Sequence, residues 1–167
     1  PLSFHYNFSR PTCQLSASSS VVPDPGTLRV DFPTFPYYGP LKSLNLSWTH
    51  SFNADLTFSI RPPPISAPVY ALWSGLGGGS ANGSLSLADG SPSLQSADLA
   101  ARSAGPFGTA GGQLLSAIVS EASGPWQLIV VDGVAGDAGR LTSATICLDV
   151  VIAVLGPHRL RHIPPPP

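Results

Sequence analysis

The chain has 167 residues, 43% of them hydrophobic, with 8 Lys and Arg against 9 Asp and Glu and a net charge of −1. That length suits one domain with a sizeable core, and that hydrophobic share excludes a disordered polar tract. The even charge balance offers no basic field for nucleic acid, and charged residues at 10% leave a surface that needs sugar or neighbours to stay soluble.

Residues 1–26 read as irregular, with Pro11, the serines 16 and 18–20, and the turn Pro23-Asp24-Pro25-Gly26. Within them Phe4, Tyr6 and Phe8 alternate with Ser3, His5 and Asn7, the pattern of a short strand. Residues 27–32 form a strand with Leu28, Val30 and Phe32 on one face. The proline-rich stretch 32–40 is an edge or loop that still buries rings. Residues 43–50 turn Leu44, Leu46 and Trp48 inward and Asn45, Ser47 and Thr49 outward, and residues 55–60 turn Leu56, Phe58 and Ile60 inward. Pro62, Pro63 and Pro64 end that pairing, since proline has no amide to donate. Residues 69–73 resume as a strand, 75–83 form a glycine-rich loop, and Leu85 and Leu87 mark another short strand. Residues 88–112 are mostly loop anchored by Leu94, Leu99 and Phe107, and 113–121 fit either a helical turn or an extended path.

Residues 124–149, GPWQLIVVDGVAGDAGRLTSATICLD, are the organising stretch. Trp126, Leu128 and Val130 share one face, with Gln127, Ile129 and Val131 on the other; further on, Thr142, Ala144, Ile146 and Leu148 alternate with Ser143, Thr145 and Cys147. The glycine–aspartate loop between them joins either a long hairpin or a pair of core strands. Residues 150–155 add a strand-like apolar piece, far short of the ~20 residues of a membrane helix. Gly156-Pro157, a small basic cluster and Pro164, Pro165, Pro166 and Pro167 follow, and the prolines favour polyproline II. The chain contains no Met and no signal-peptide pattern, as expected of a processed mature form.

The stretch GPWQLIVVDGVAGDAGRL resembles the C-terminal signature of the P domain that follows the catalytic domain of proprotein convertases and recurs in secreted proteins. LNLSWTHSFNADLTFSI, residues 44–60, is similar to that family's other hallmark, in which a strand reaches a Thr-His pair and then Asp-Leu. LLSAIVSEASGPW matches the family's approach to its tryptophan, and the resemblance covers roughly residues 10–149. Ala144 departs from it, where the family usually carries a second tryptophan. The resemblance implies an all-β, jelly-roll β-sandwich that supports a protease and performs no chemistry itself. The expected organisation is an N-terminal arm (1–12), the sandwich (13–149) and an apolar, proline-ended tail (150–167).

Cys13 and Cys147 stand near opposite ends of the domain, either paired or as two buried thiols. Paired, they close most of the chain into one loop, worth about 5 kcal/mol in the chain-entropy account. Asn7, Asn45 and Asn82 each begin an N-x-S acceptor for N-linked sugar, which with the disulfide points outside the cell. Pro62, Pro63, Pro64 and Pro164, Pro165, Pro166 and Pro167 resemble the hydroxyproline-rich runs of plant and algal wall glycoproteins, where sugar sits on the ring oxygen; the other reading is a rigid spacer.

The catalytic motifs G-x-S-x-G, H-E-x-x-H and the phosphate loop do not occur, so no enzyme activity is expected. His50 is expected to make structural hydrogen bonds rather than serve a triad. Asp55, Asp132 and Asp137 in glycine-containing loops could ligate calcium or simply accept turn amides, and no other cofactor is called for. Three functions follow as expectations. The first is a secreted, glycosylated extracellular module that self-assembles head to tail into a fibre or sheath, using residues 2–8 and 150–155 to reach copies of itself. The second is a carbohydrate binder stacking sugar on Trp73, Tyr37 or Tyr38. The third is a protease-accessory domain.

Overall fold

The computed structural model describes residues 6–16, 19–35, 39–78, 81–95, 105–120 and 122–154, with side chains left aside at 6–10, 16, 81, 82 and 151–154. Among them are nine strands: β1 Tyr6–Ser16, β2 Ser20–Val22, β3 Gly26–Asp31, β4 Leu41–His50, β5 Leu56–Arg61, β6 Tyr70–Ser74, β7 Ala81–Ala88, β8 Gln127–Asp132 and β9 Gly139–Val154. They form two antiparallel sheets. Sheet 1 runs β1-β9-β4-β7, with β2 also on β9, and sheet 2 runs β3-β8-β5-β6. The chain is therefore an all-β sandwich, and one continuous core lies between the layers.

Alternation explains most of this. Leu44, Leu46 and Trp48 of β4 are buried against Leu56, Phe58 and Ile60 of β5 and Leu128 and Val130 of β8. Phe58 stacks on Trp73 at 4.2 Å between ring centroids, and Trp48 lies 5.2 Å from Phe58. Gly83 is required here, because a Cβ would fall 2.2 Å from the Trp48 indole.

Bulges account for the places where simple alternation misleads. In β9, Ser143 pairs with Ser47 but Leu141 with Trp48, so Thr142 is the extra residue. Leu141 and Ala144 face inward and Thr142 is exposed, which removes Thr142 from the face it was expected to share. In β6, Phe58 pairs with Trp73 and Ser59 with Ala71, leaving Leu72 extra, so Leu72 and Trp73 are both buried.

Two further expectations change and two open alternatives are resolved. Residues 6–16, read as mostly irregular, form β1, because β9 supplies a ladder for the whole stretch. Asn82, read as an open-loop residue, lies within β7 opposite Thr49. β8 and β9 are core strands of different sheets rather than a hairpin. Residues 113–121 combine both readings: Leu115–Ala117 is a short 3-10 turn, and Val119 bridges Pro40.

The arm and tail do not stand apart from the sandwich as far as they are described. Asn7 pairs with Ala153 and Arg10 with Val150, and Val150 is buried in the core. In the same ladder Cys13 lies directly opposite Cys147, and the two form a disulfide with Cα atoms 4.0 Å apart. It closes a separation of 134 residues while joining neighbouring strands. Replacing both cysteines by serine is expected to lower unfolding free energy by about 2–5 kcal/mol, read by urea denaturation against the oxidised parent.

Candidate functional site

The two family-like motifs meet at one end of the sandwich. β4 ends at His50 and β8 ends at Asp132, so a residue of each sheet arrives at the same buried point. The Asp132 carboxylate can only accept, so His50 Nε2–H donates to its Oδ2 at 3.1 Å, with both side chains fully buried. On the other side of the ring, Nδ1 lies against the Phe52 backbone, 3.1 Å from its N and 2.9 Å from its O. Asp132 Oδ1 accepts the Val134 amide at 3.2 Å. Gly139 leaves room for the ring, since a Cβ there would fall 2.1 Å from His50 Cδ2.

Around this pair the loops are tied by side chains. Trp48 Nε1–H donates to buried Asn53 Oδ1 at 3.0 Å. Ser51 Oγ donates to Asp137 Oδ1 at 2.7 Å and accepts the Ala138 amide at 2.8 Å. Gly136 N–H, on a residue with φ of 110°, reaches back to Asp24 Oδ1 at 3.0 Å. Asn53 and Asp24 were not singled out in the sequence. Their signal lies in the Ser51–Asp55 and Pro23–Gly26 turns, whose polar side chains are the usual partners of turn amides.

Catalysis by His50 is poorly served by this geometry. A general base needs a ring nitrogen facing substrate, and here one nitrogen faces Asp132 and the other the Phe52 backbone. Asp55, Asp132 and Asp137 do gather near one another, but Asp132 points into the core. Among the described residues no group of three or more His, Cys, Asp or Glu is placed to hold a metal ion. For Asp55, partial burial, its hydrogen bond with Asp137 and the charges of Asp137 and Asp132 push the carboxyl up, with His50 opposing.

The remaining residues separate by exposure. Trp73, named for sugar stacking, is 2% exposed and belongs to the aromatic core. Tyr37 and Tyr38 lie outside the described residues, as do Pro164, Pro165, Pro166 and Pro167, residues 1–5 of the arm and residue 155. Pro62 and Pro63 are buried, and Pro64 of that run is exposed. Asn45 is exposed on the outer face of sheet 1. Its neighbours there are uncharged: Ser43, Ser47 and Thr49 on β4, Ser84 and Ser86 on β7, and Ser143 and Thr145 on β9. Asn7 stands at the register position of Ala153.

At the opposite end, the loop after β5 borders a cavity of about 340 Å³ lined by residues 62–64, 66–68 and 70, Ser66 among them, and by Val119. Ile65, Val69, Val119 and Leu114 are exposed by 68, 44, 45 and 56%. The sequence showed the prolines but not this cavity, because Val119 is brought there by its bridge to Pro40.

The chain matches no protein-family model and no curated protein.

Two outcomes are expected. Asp132→Ala should cost about 3–5 kcal/mol in urea denaturation, since it strands a buried imidazole donor; a loss under about 1 kcal/mol would show that the pair carries no weight. The second concerns pH. Burial alone would raise the Asp89 carboxyl, but its Ser116 and Leu115 hydrogen bonds outweigh that and hold it below the usual range. Asp89 therefore stabilises the fold above the unfolded carboxylate pKa, and this contribution is lost as pH falls through the lower folded value. Asp55, shifted upward, instead disfavours the fold as pH rises past the ordinary value. In melting curves at neutral pH Asp89→Asn should lower Tm and Asp55→Asn raise it, with both differences shrinking towards about pH 3.

Proposed function

We propose that this chain is a secreted structural module, N-glycosylated on the outer face of sheet 1, that assembles head to tail into an extracellular fibre or sheath. The observation that carries the assembly is the exposure of Ile65 and Val69 in the loop after β5 and of Val119, which lines the cavity beside that loop. Exposed apolar side chains on a surface this poor in charge are suited to burial against another molecule. Val119 lies at the end of the sandwich where β9 continues outward, since Asp149 N–H donates to Pro40 O and Pro40 bridges Val119. Residues 6–10 and 150–154 are paired with each other, so the connector is assigned to the chain beyond Val154.

An extracellular setting is supported by the cross-strand disulfide, which has Cys13 on the exposed side, and by the outward Asn45 acceptor. Sugar on Asn45 would cover the small hydroxyls that surround it on that face and add to the solubility that few ionic groups supply. Pro64 and the proline run 164–167 remain candidates for sugar on hydroxyproline.

The P-domain reading is supported by the convergence of its two hallmarks, since His50 of the Thr-His pair bonds Asp132 of the second motif. The strand order also fits a jelly roll: β1 and β2 with β9, β4 and β7 oppose β3, β8, β5 and β6, with repeated crossing between the layers. That convergence equally favours a protease-accessory module as the second reading. The sugar-binding reading has lost Trp73 to the core.

Intact mass of native material before and after enzymatic release of N-linked sugar should differ, and Asn45→Gln should remove one glycan. A native mass equal to the bare polypeptide would remove sugar from the proposal.

A further inference from the structure

The geometry points to a binding site for a tetrahedral oxyanion, sulfate or phosphate, on the outer face of sheet 2 between Arg29 and Arg61. Three neighbouring strands build it. Asp31 of β3, Gln127 of β8 and Arg61 of β5 stand in one row across the sheet. In the next row on the same face Arg29 stands opposite Ile129, and Ile129 opposite Ser59. Both guanidiniums reach towards the middle strand and converge on one atom. Arg29 Nη1–H donates to Gln127 Oε1 at 3.1 Å, and Arg61 Nη1–H donates to the same oxygen at 3.5 Å.

Two like charges thus share one neutral acceptor. Asp31, the carboxylate of these rows, accepts the Gln127 side-chain amide at 2.9 Å. Among the described residues neither arginine is ion-paired. Arg61 Nε is buried with no hydrogen-bond partner. The Arg61 guanidinium is therefore held by packing and one long bond, and it loses little by turning to a better acceptor. Gln127 and Ser59 form the floor and are each 8% exposed, and among the described residues the Ser59 hydroxyl has no partner either. A negative oxygen above this floor would relieve the repulsion and take up the unused donors.

The shape of the slot selects the class of anion. A guanidinium presents parallel N–H bonds that match a pair of oxygens on an oxyanion. A tetrahedral anion directs oxygens to both sides at once, whereas a carboxylate offers its oxygens to one side. Sulfate or phosphate, free or as an ester, therefore fits between one arginine on β3 and another on β5. Asp31 lies across Gln127 from Arg61, and its single charge weakens the two positive ones without cancelling them.

Full-length protein carrying isotope-labelled arginine tests it, with the Nε–H signals of Arg29 and Arg61 followed by NMR. Sodium sulfate, inorganic phosphate, methyl phosphate and sodium acetate are each titrated against sodium chloride at matched ionic strength. Sulfate or phosphate should shift these two signals along a saturating curve, and chloride should not. Arg29→Gln, at an exposed position, and Arg61→Gln should each weaken binding about tenfold, and should keep only the general salting effect of sulfate on Tm. If Arg61→Gln fails to fold, Arg29→Gln decides alone. Saturation by either phosphate supports the site: tighter binding of methyl phosphate assigns an ester on a larger molecule, and tighter binding of inorganic phosphate assigns a free ion. Shifts that do not saturate, or that persist at full affinity in Arg29→Gln, would overturn the site. Acetate binding more tightly than sulfate would overturn the tetrahedral assignment.

Discussion

A hydrogen bond between an imidazole and a carboxylate, both shut away from water, ties the two layers together at one end. His50 is the last residue of a strand in sheet 1, and Asp132 is the last residue of a strand in sheet 2. Neither partner can be satisfied by solvent in the folded chain, so a slip of either strand by one residue would leave a buried polar group unmet. The bond thereby fixes how far each strand runs before it must turn. The turns that follow are held by the same logic, with Ser51, Asn53, Asp24 and Asp137 each spent on a particular donor or acceptor. At this end of the sandwich the polar side chains are used for placement.

The remainder of the sandwich is held by packing. Trp48, Phe58 and Trp73 fill the space near the tied end, and leucine, isoleucine and valine from both sheets fill the middle. Gly83 and Gly139 mark where two of the large rings lie flat on a neighbouring strand. On the outer face of sheet 2, Gln127 at the start of β8 links Asp31 and Arg29 of β3 with Arg61 of β5. The outer face of sheet 1 has small hydroxyls around Asn45, with Arg140 opposite Thr49 at one end and the Lys42–Asp149 ion pair at the other.

Much of the fold was legible as alternation. β3, β4, β5, β6 and β8 lie within a residue or two of where their apolar periods put them, with Leu44, Leu46, Trp48, Leu56, Phe58 and Ile60 on the inner face. What alternation cannot reveal is pairing between distant strands. β1 contains Pro11 and runs of small polar residues, so it gains its conformation from β9, more than a hundred residues away. The extra residues Thr142 and Leu72 leave no local mark, yet each resets the inward face, and the second of them decides that Trp73 is core. At the candidate site the motifs pointed to Asp55, Asp132 and Asp137 as one group and to His50 as a structural hydrogen-bonder, without joining the two. The motifs could not tell that Asp132 would turn inward to a histidine, because that depends on which sheet each strand joins.

The sulfur bridge has a mechanical meaning when the chain is pulled from its two ends. Tension applied at the two ends of the described chain would peel β1 from β9, starting at Tyr6 and Val154 and breaking one rung after another. The peeling stops at Cys13 and Cys147, where a covalent bond takes the load. Everything between those two residues is then bypassed by the pulling force, and the His50 corner, the aromatic cluster and both layers stay slack while the strand ends stretch. Such a link yields a little and then holds, and it recovers its shape when the strain is released.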